Sequence, residues 1–74
     1  MLALPGTRGL GAALLASLED AARRDGYSSV ILETRRVNER AVAFYRRHGY
    51  SVIPNYGRYQ GRPEAICFAK RLAP

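Results

Sequence analysis

The sequence predicts an α/β fold in which helices flank a small mixed β-sheet. Two stretches carry apolar residues at helical spacing, and a glycine follows each of them. Shorter runs are rich in β-branched or alternating apolar residues and are bounded by turn residues, which is typical of strands. The predicted order is loop, helix, strand, helix, strand, loop, strand.

The first predicted helix follows a glycine-rich loop that begins at Gly6. It covers residues 11–25, and Gly26 stands where a left-handed residue commonly ends a helix. We expect an apolar stripe to form its buried face, made of Leu10, Leu14, Leu15, Leu18, Ala21 and Ala22.

The first predicted strand covers residues 28–34, whose continuous apolar run indicates burial on both faces of a helix-flanked sheet. Asn38 is placed to cap the second helix and Gly49 to end it. One face of that helix carries Ala41, Phe44, Tyr45 and His48.

Two more strands are predicted, at residues 50–53 and 64–70. The loop between them has no helical stripe, so these strands are most simply antiparallel neighbours. The first strand lacks an evident partner, because only residues 2–4 precede the glycine-rich loop. We therefore expect residues 1–74 to form one partial domain that begins in mid-fold, and its open strand edge suggests a homodimer.

Composition narrows the classes of function. Eleven arginines and one lysine against six carboxylates give a net charge of +6, which favours an anionic ligand. No apolar run is long enough for a membrane span and no signal-peptide core follows Met1, so we expect a cytoplasmic protein. Cys67 is the only cysteine, and with His48 it provides too few ligands for a structural zinc site, so no metal is expected.

The glycine-rich loop is a candidate anion site. A loop that enters a helix presents unpaired backbone N–H groups and the positive end of the helix dipole, which together bind phosphate. Arg8 adds a cation beside it. The loop lacks the features of nucleoside triphosphatase and dinucleotide loops. A tight turn without a ligand is the structural alternative.

Two motifs together resemble those of the GNAT superfamily of acetyl-CoA-dependent N-acetyltransferases. The first is the Gly-Leu-Gly of residues 9–11 at a helix start, and the second is the pattern N-x-x-A-x-x-F-Y-x-x-x-G-Y over residues 38–50. The resemblance covers nearly the whole chain. It implies acetyl-CoA as the cofactor, with its pyrophosphate on the loop before the first helix and its pantetheine arm beside residues 30–34.

The resemblance allows two registers for the pyrophosphate loop. A literal match to the family pattern Q/R-x-x-G-x-G/A begins at Arg8. The register that we favour makes Gly9 and Gly11 the motif glycines, because it keeps the leucines of the helix on its buried face. The implied cofactor-binding residues are Arg8, Gly9, Leu10, Gly11, Ala12 and Asn38.

The resemblance also implies roles for single side chains. Tyr45 matches the tyrosine that donates a proton to the departing CoA thiolate, with a core tyrosine as the alternative. Asn38 either contacts the cofactor arm or only caps its helix. Glu33 either assists deprotonation of the amine or is a solvated acid at a strand end. Tyr56 and Tyr59 either line the acceptor site or pack within a turn, and His48 is assigned a structural role.

The predicted function is that of an N-acetyltransferase fragment, which transfers an acetyl group from acetyl-CoA to a small-molecule or peptide amine by direct attack. In the family that it resembles, the base and the acceptor wall come largely from the first half of the fold, and the resemblance implies that this N-terminal half is missing here. The alternatives are a small basic nucleic-acid-binding module, with arginines on phosphates and Tyr56 and Tyr59 stacked on bases, and a non-catalytic remnant that dimerises.

Overall fold

The computed structural model describes residues 2–3 and 11–72. Its strands form one sheet that contains both parallel and antiparallel pairs, so the predicted mixed α/β fold is confirmed. Neither helix within the described ranges is long and apolar enough to cross a membrane. In chain order the elements are β1 (Leu2–Ala3), α1 (Ala12–Arg24), β2 (Ser29–Arg35), α2 (Glu39–Arg47), β3 (Ser51–Ile53), a 3-10 helix (Gly57–Tyr59) and β4 (Ala65–Arg71).

Strand β2 is paired on both sides. It runs antiparallel to β4 along its whole length, from Ser29 opposite Arg71 to Arg35 opposite Ala65. It also runs parallel to β1, where Ala3 lies opposite Ile31. The expectation that β2 lacks a neighbour is therefore wrong on the β4 side, and β1 supplies a two-residue partner on the other side. The antiparallel pairing of β3 with β4 is confirmed.

Both helices pack on the same face of the sheet. Because strand residues alternate in direction, Val30 and Leu32 of β2 point to one face, together with Ile66 and Phe68 of β4. The core on that face also includes residues of both helices, namely Leu15 and Ala22 of α1 and Tyr45 of α2. The start of α1 and the tyrosine of α2 therefore lie on one side of β2.

The buried face of α1 differs from the predicted stripe. Leu15 and Ala22 are buried and Leu18 is half-buried, but Leu14 is 53% exposed. The centre of the buried face is taken by Glu19, which is only 6% exposed. The buried residues are spaced i, i+4 and i+7, so the rotation that buries them turns Leu14 outward. Residue 10, the remaining member of the predicted stripe, lies outside the described residues.

Both helices end as predicted, at glycines with left-handed backbone. The φ angle is 86° at Gly26 and 90° at Gly49. At the second helix the Gly49 N–H donates to the Arg46 carbonyl at 3.2 Å, and the Tyr50 N–H donates to the Tyr45 carbonyl at 3.0 Å. These two bonds form a Schellman motif, which reverses the chain and brings Tyr50 back towards Tyr45.

Candidate functional site

The start of α1 is the first part of the predicted site that the structure describes. Gly11 is the N-cap residue, and no side chain within residues 11–72 caps the helix. Among the described residues, a Cβ at Gly11 would meet nothing within 4 Å, and its φ of −91° suits any residue, so this part of the fold does not require glycine here. Ala12 is exposed beside it. An open, uncapped helix start of this kind suits an anion.

The remaining predicted loop residues, Arg8, Gly9 and Leu10, lie outside the described residues. The two alternative registers of the loop are therefore still open, and the cofactor contacts of these residues stay a prediction.

Asn38 lies at the same edge of the sheet as Gly11. Helix α1 ends close to the start of β2 and runs back along the sheet. The start of α1 therefore lies at the other end of the strands, where β2 ends and α2 begins. The Asn38 Oδ1 accepts a hydrogen bond from the Ala41 N–H at 3.2 Å, which confirms Asn38 as the cap of α2. Its side chain is exposed, and contact with the cofactor arm stays a prediction.

Tyr45 lies in the core, and only 1% of it is exposed. Its ring centroid is 5.5 Å from that of Phe44, 5.8 Å from that of Tyr50 and 5.7 Å from that of Phe68. The structure thus places Tyr45 among the packed aromatic residues of the helix-covered face, beside β2. Its role as a proton donor stays a prediction.

Glu33 faces the opposite side of the sheet, because its neighbour Leu32 points into the helix-covered core. The loop after β3 approaches this second face. Burial raises the pKa of Tyr56 to about 12, and Cys67, Tyr59 and Glu33 add to the rise. Tyr56 therefore stays protonated at neutral pH on the same face as a half-buried carboxylate.

The loop that carries Tyr56 and Tyr59 is held by its own contacts. The two rings pack edge to face with centroids 5.6 Å apart. The Arg58 guanidinium lies 5.3 Å from the Tyr59 ring centroid, and its Nη2 donates to the Tyr59 hydroxyl at 3.3 Å. The Asn55 amide nitrogen donates to three carbonyls, those of Tyr59, Arg62 and Ala65. Turn packing is confirmed, and contact with an acceptor stays a prediction.

His48 has the structural role that was predicted for it, and Cys67 lies in the core. Cys67 is a free, fully buried thiol. His48 is the C-cap of α2, and its ring centroid lies 4.5 Å from that of Phe44. No group of three metal-ligating side chains occurs within the part of the chain that the structure describes.

Sequence reasoning missed a buried polar cluster formed by Glu19, Tyr50 and Lys70. Burial and the hydrogen bond to Glu19 raise the pKa of the Tyr50 hydroxyl far above its ordinary value. The available signal was the acid in the middle of the apolar face of α1, since Glu19 falls between Leu15 and Ala22 at helical spacing.

Comparison with known proteins is consistent with this geometry. Residues 7–50 match the model of the acetyltransferase (GNAT) family. An IAA acetyltransferase from Azospirillum brasilense is 34% identical over 97% of this chain and 48% of its own length. A crystal structure from Klebsiella pneumoniae, assigned as an acyl-CoA N-acyltransferase, is 37% identical with a TM-score of 0.79 over 93% of this chain and 49% of its own.

The chain belongs to the GNAT family of acetyltransferases, because the family model matches more than half of its residues. Its fold corresponds to part of the fold of the Klebsiella acyltransferase. The chain spans about half the length of both relatives.

Proposed function

We propose that this chain is the acetyl-CoA-binding part of an N-acetyltransferase. The observation that carries the proposal is the start of α1, where no side-chain cap is found within residues 11–72 and no described residue gives a reason for a glycine at Gly11. Membership of the GNAT family indicates an acyl-CoA donor, and the choice of acetyl is part of the proposal. The proposal also includes a cytoplasmic location, an amine acceptor and a homodimer.

In the proposed mechanism, different residues of the chain bind the cofactor and transfer protons. Acetyl-CoA supplies an activated thioester, whose carbon accepts the amine and whose sulfur leaves. The backbone N–H groups of Gly11 and Ala12 bind its pyrophosphate, and Asn38 lies at the same sheet edge to contact the arm. Tyr45 holds a proton at its phenol oxygen for the sulfur, which needs one on departure.

Glu33 is the proposed partner of Tyr45 on the other face of the sheet. Its carboxylate accepts a proton from the attacking amine. The amine nitrogen and the sulfur are bonded to the same carbon in the intermediate, so this role requires the thioester carbon to lie beside β2 on the β1 side, where both faces of the sheet can be reached. We expect Glu33→Gln to lower turnover by about 10²-fold in an active enzyme. Glu64→Gln, at an exposed position before β4, is the matched control. Equal turnover for the Glu33 and Glu64 variants would remove Glu33 from the mechanism.

The test of the proposal is calorimetric titration of CoA into this chain and into its Gly11→Asp variant. Aspartate is a good N-cap residue and places a favourable charge at a helix start, so the melting temperature of the variant should be at least that of the parent. The same side chain fills the anion site and repels pyrophosphate, so CoA binding should be lost. A parent that binds CoA no better than ATP, or a variant that binds CoA as the parent does, contradicts the proposal.

The nucleic-acid-binding alternative has its own signature. Binding through arginines to phosphates should weaken steeply with salt and should depend little on base sequence. The family match does not favour this alternative.

A further inference from the structure

A carboxylate stands at the centre of the buried face of α1. Both oxygens of Glu19 are engaged: the Tyr50 hydroxyl donates to Oε2 at 2.8 Å, and the Lys70 ammonium donates to Oε1 at 3.0 Å. The Glu19 side chain is 8% exposed and that of Lys70 is 25% exposed. The cluster therefore joins α1 to the last strand and to the turn after α2.

Stability alone does not account for this cluster. Removing a carboxylate and an ammonium from water costs about as much as their attraction returns, and apolar residues of similar volume are often equally stable or better. A methionine or leucine in place of Glu19 would simply continue the apolar face of α1. The polar cluster adds a fixed geometry, because α1 cannot slide or rotate without breaking one buried and one partly buried hydrogen bond.

The cluster reaches Tyr45 through Tyr50. The Tyr50 ring is held at its hydroxyl by Glu19, and the Lys70 ammonium lies 5.7 Å from its centroid. Its centroid is 5.8 Å from that of Tyr45, with the rings inclined by 65°. Phe68 lies against Tyr45 at 5.7 Å. The hydrogen bond from its hydroxyl and the contact with the Lys70 ammonium keep the Tyr50 ring in one orientation. Tyr45, which packs between Tyr50 and Phe68, is therefore held in one position.

We propose that Glu19, Tyr50 and Lys70 form a positioning unit, which sets the place of the Tyr45 hydroxyl relative to the start of α1. This inference rests on the proposed function, in which the helix start anchors the cofactor and Tyr45 protonates the sulfur. The acid must lie within hydrogen-bond reach of that sulfur, and a displacement of about 1 Å can cost about 10²-fold in rate. None of the three residues touches the reacting atoms in this scheme.

The test uses the full chain and a triple variant, Glu19→Met/Tyr50→Phe/Lys70→Met, which replaces the cluster with apolar groups of similar size. Tyr27→Phe, at an exposed tyrosine, is the control. We expect the triple variant to fold with near-parental stability and to bind CoA equally. In an active enzyme that contains this chain, the triple variant should lower kcat about tenfold. In the chain itself, the Tyr45 ring, followed by NMR of ring-labelled tyrosine, should flip faster.

Parental kcat and a parental Tyr45 flip rate in the triple variant would overturn the inference. If the parent chain does not bind CoA, the proposed function fails, but the flip rates still decide whether the cluster positions Tyr45. If the triple variant does not fold, Tyr50→Phe alone is measured, since it removes one hydroxyl and keeps the Glu19–Lys70 pair. An unchanged Tyr45 flip rate in that variant also overturns the inference.

Discussion

At the scale of the residue, Tyr45 combines a core position with a proposed chemical role. Its ring is fixed by three aromatic neighbours and is almost fully buried. Phenylalanine keeps these ring contacts and removes only the hydroxyl. The substitution Tyr45→Phe therefore separates packing from proton donation better than any smaller side chain would.

We expect Tyr45→Phe to lower kcat by about 10²-fold with little change in CoA affinity, because a general acid acts only in the transition state. The measurement is steady-state turnover in an active enzyme, such as this chain joined to the part of the Azospirillum relative that it does not match. Turnover equal to that of the parent would remove Tyr45 from the mechanism. A large loss of stability with normal turnover would favour the core role.

Tyr50, which is buried, and Tyr56, which is half-buried, predict a stability change at high pH. Burial is the main cause of both shifts. It raises the pKa of Tyr56 to about 12, and it raises the pKa of Tyr50 further. The unfolded chain loses these phenol protons near pH 10, while the folded chain keeps them, so folding becomes less favourable as the pH rises above about 10.

The measurement is the free energy of unfolding in urea as a function of pH. The contribution of Tyr56 should be complete below pH 10 and lost as the pH passes about 12. Tyr56→Phe should flatten the curve over this interval. A parent curve that is flat from pH 9 to 12 would show that these phenols are not held protonated by the fold.

At the scale of the element, sequence reasoning succeeded where the signal was local. Gly26 and Gly49 end the helices and Asn38 caps α2, because backbone conformation and a side-chain bond within one turn decide those positions. It failed where distant segments meet. The pairing of β2 with β4 joins residues far apart in the chain, and nothing local to either strand specifies it.

The burial of Glu19 in place of Leu14 has the same cause. The apolar stripe alone favoured a helix rotation with Leu14 inside, but the donors that make a buried carboxylate acceptable come from Tyr50 and Lys70 in other elements. The helix starts at Gly11 and Asn38 were therefore predictable, while the partners of Glu19 behind Tyr45 were not.

The register of the loop before α1 gives a prediction at the scale of the element. If Gly9 and Gly11 are the motif glycines, Gly9→Asp should weaken CoA binding nearly as much as Gly11→Asp, because both place a carboxylate against the pyrophosphate. In the literal register Arg8 is the important cation and Gly9 is variable. Calorimetry of Gly9→Asp and Arg8→Ala separates the two. Tight binding by the first and a loss above about 2 kcal/mol in the second would overturn our register.

At the scale of the whole molecule, the described residues build a complete antiparallel unit and only a narrow parallel one. Strands β2, β4 and β3 are continuously paired, and both helices cover their common face. Against this, β1 pairs with β2 at only two positions. A chain of 74 residues buries only about 60% of the surface that its unfolded form exposes, so each unsatisfied edge matters.

We therefore expect the chain on its own to unfold in urea with a free energy below about 5 kcal/mol, or to associate through the β1 side of β2. A marginally stable monomer and a dimer can be told apart by varying the protein concentration. Only for a dimer does the urea midpoint of unfolding rise with protein concentration. Size-exclusion chromatography over the same range supplies the mass. Adding the unmatched segment of the Azospirillum relative should raise the midpoint if that segment pairs with the same edge. A monomer with a steep transition above about 5 kcal/mol, insensitive to the added segment, would show that the helix-covered antiparallel unit is sufficient by itself.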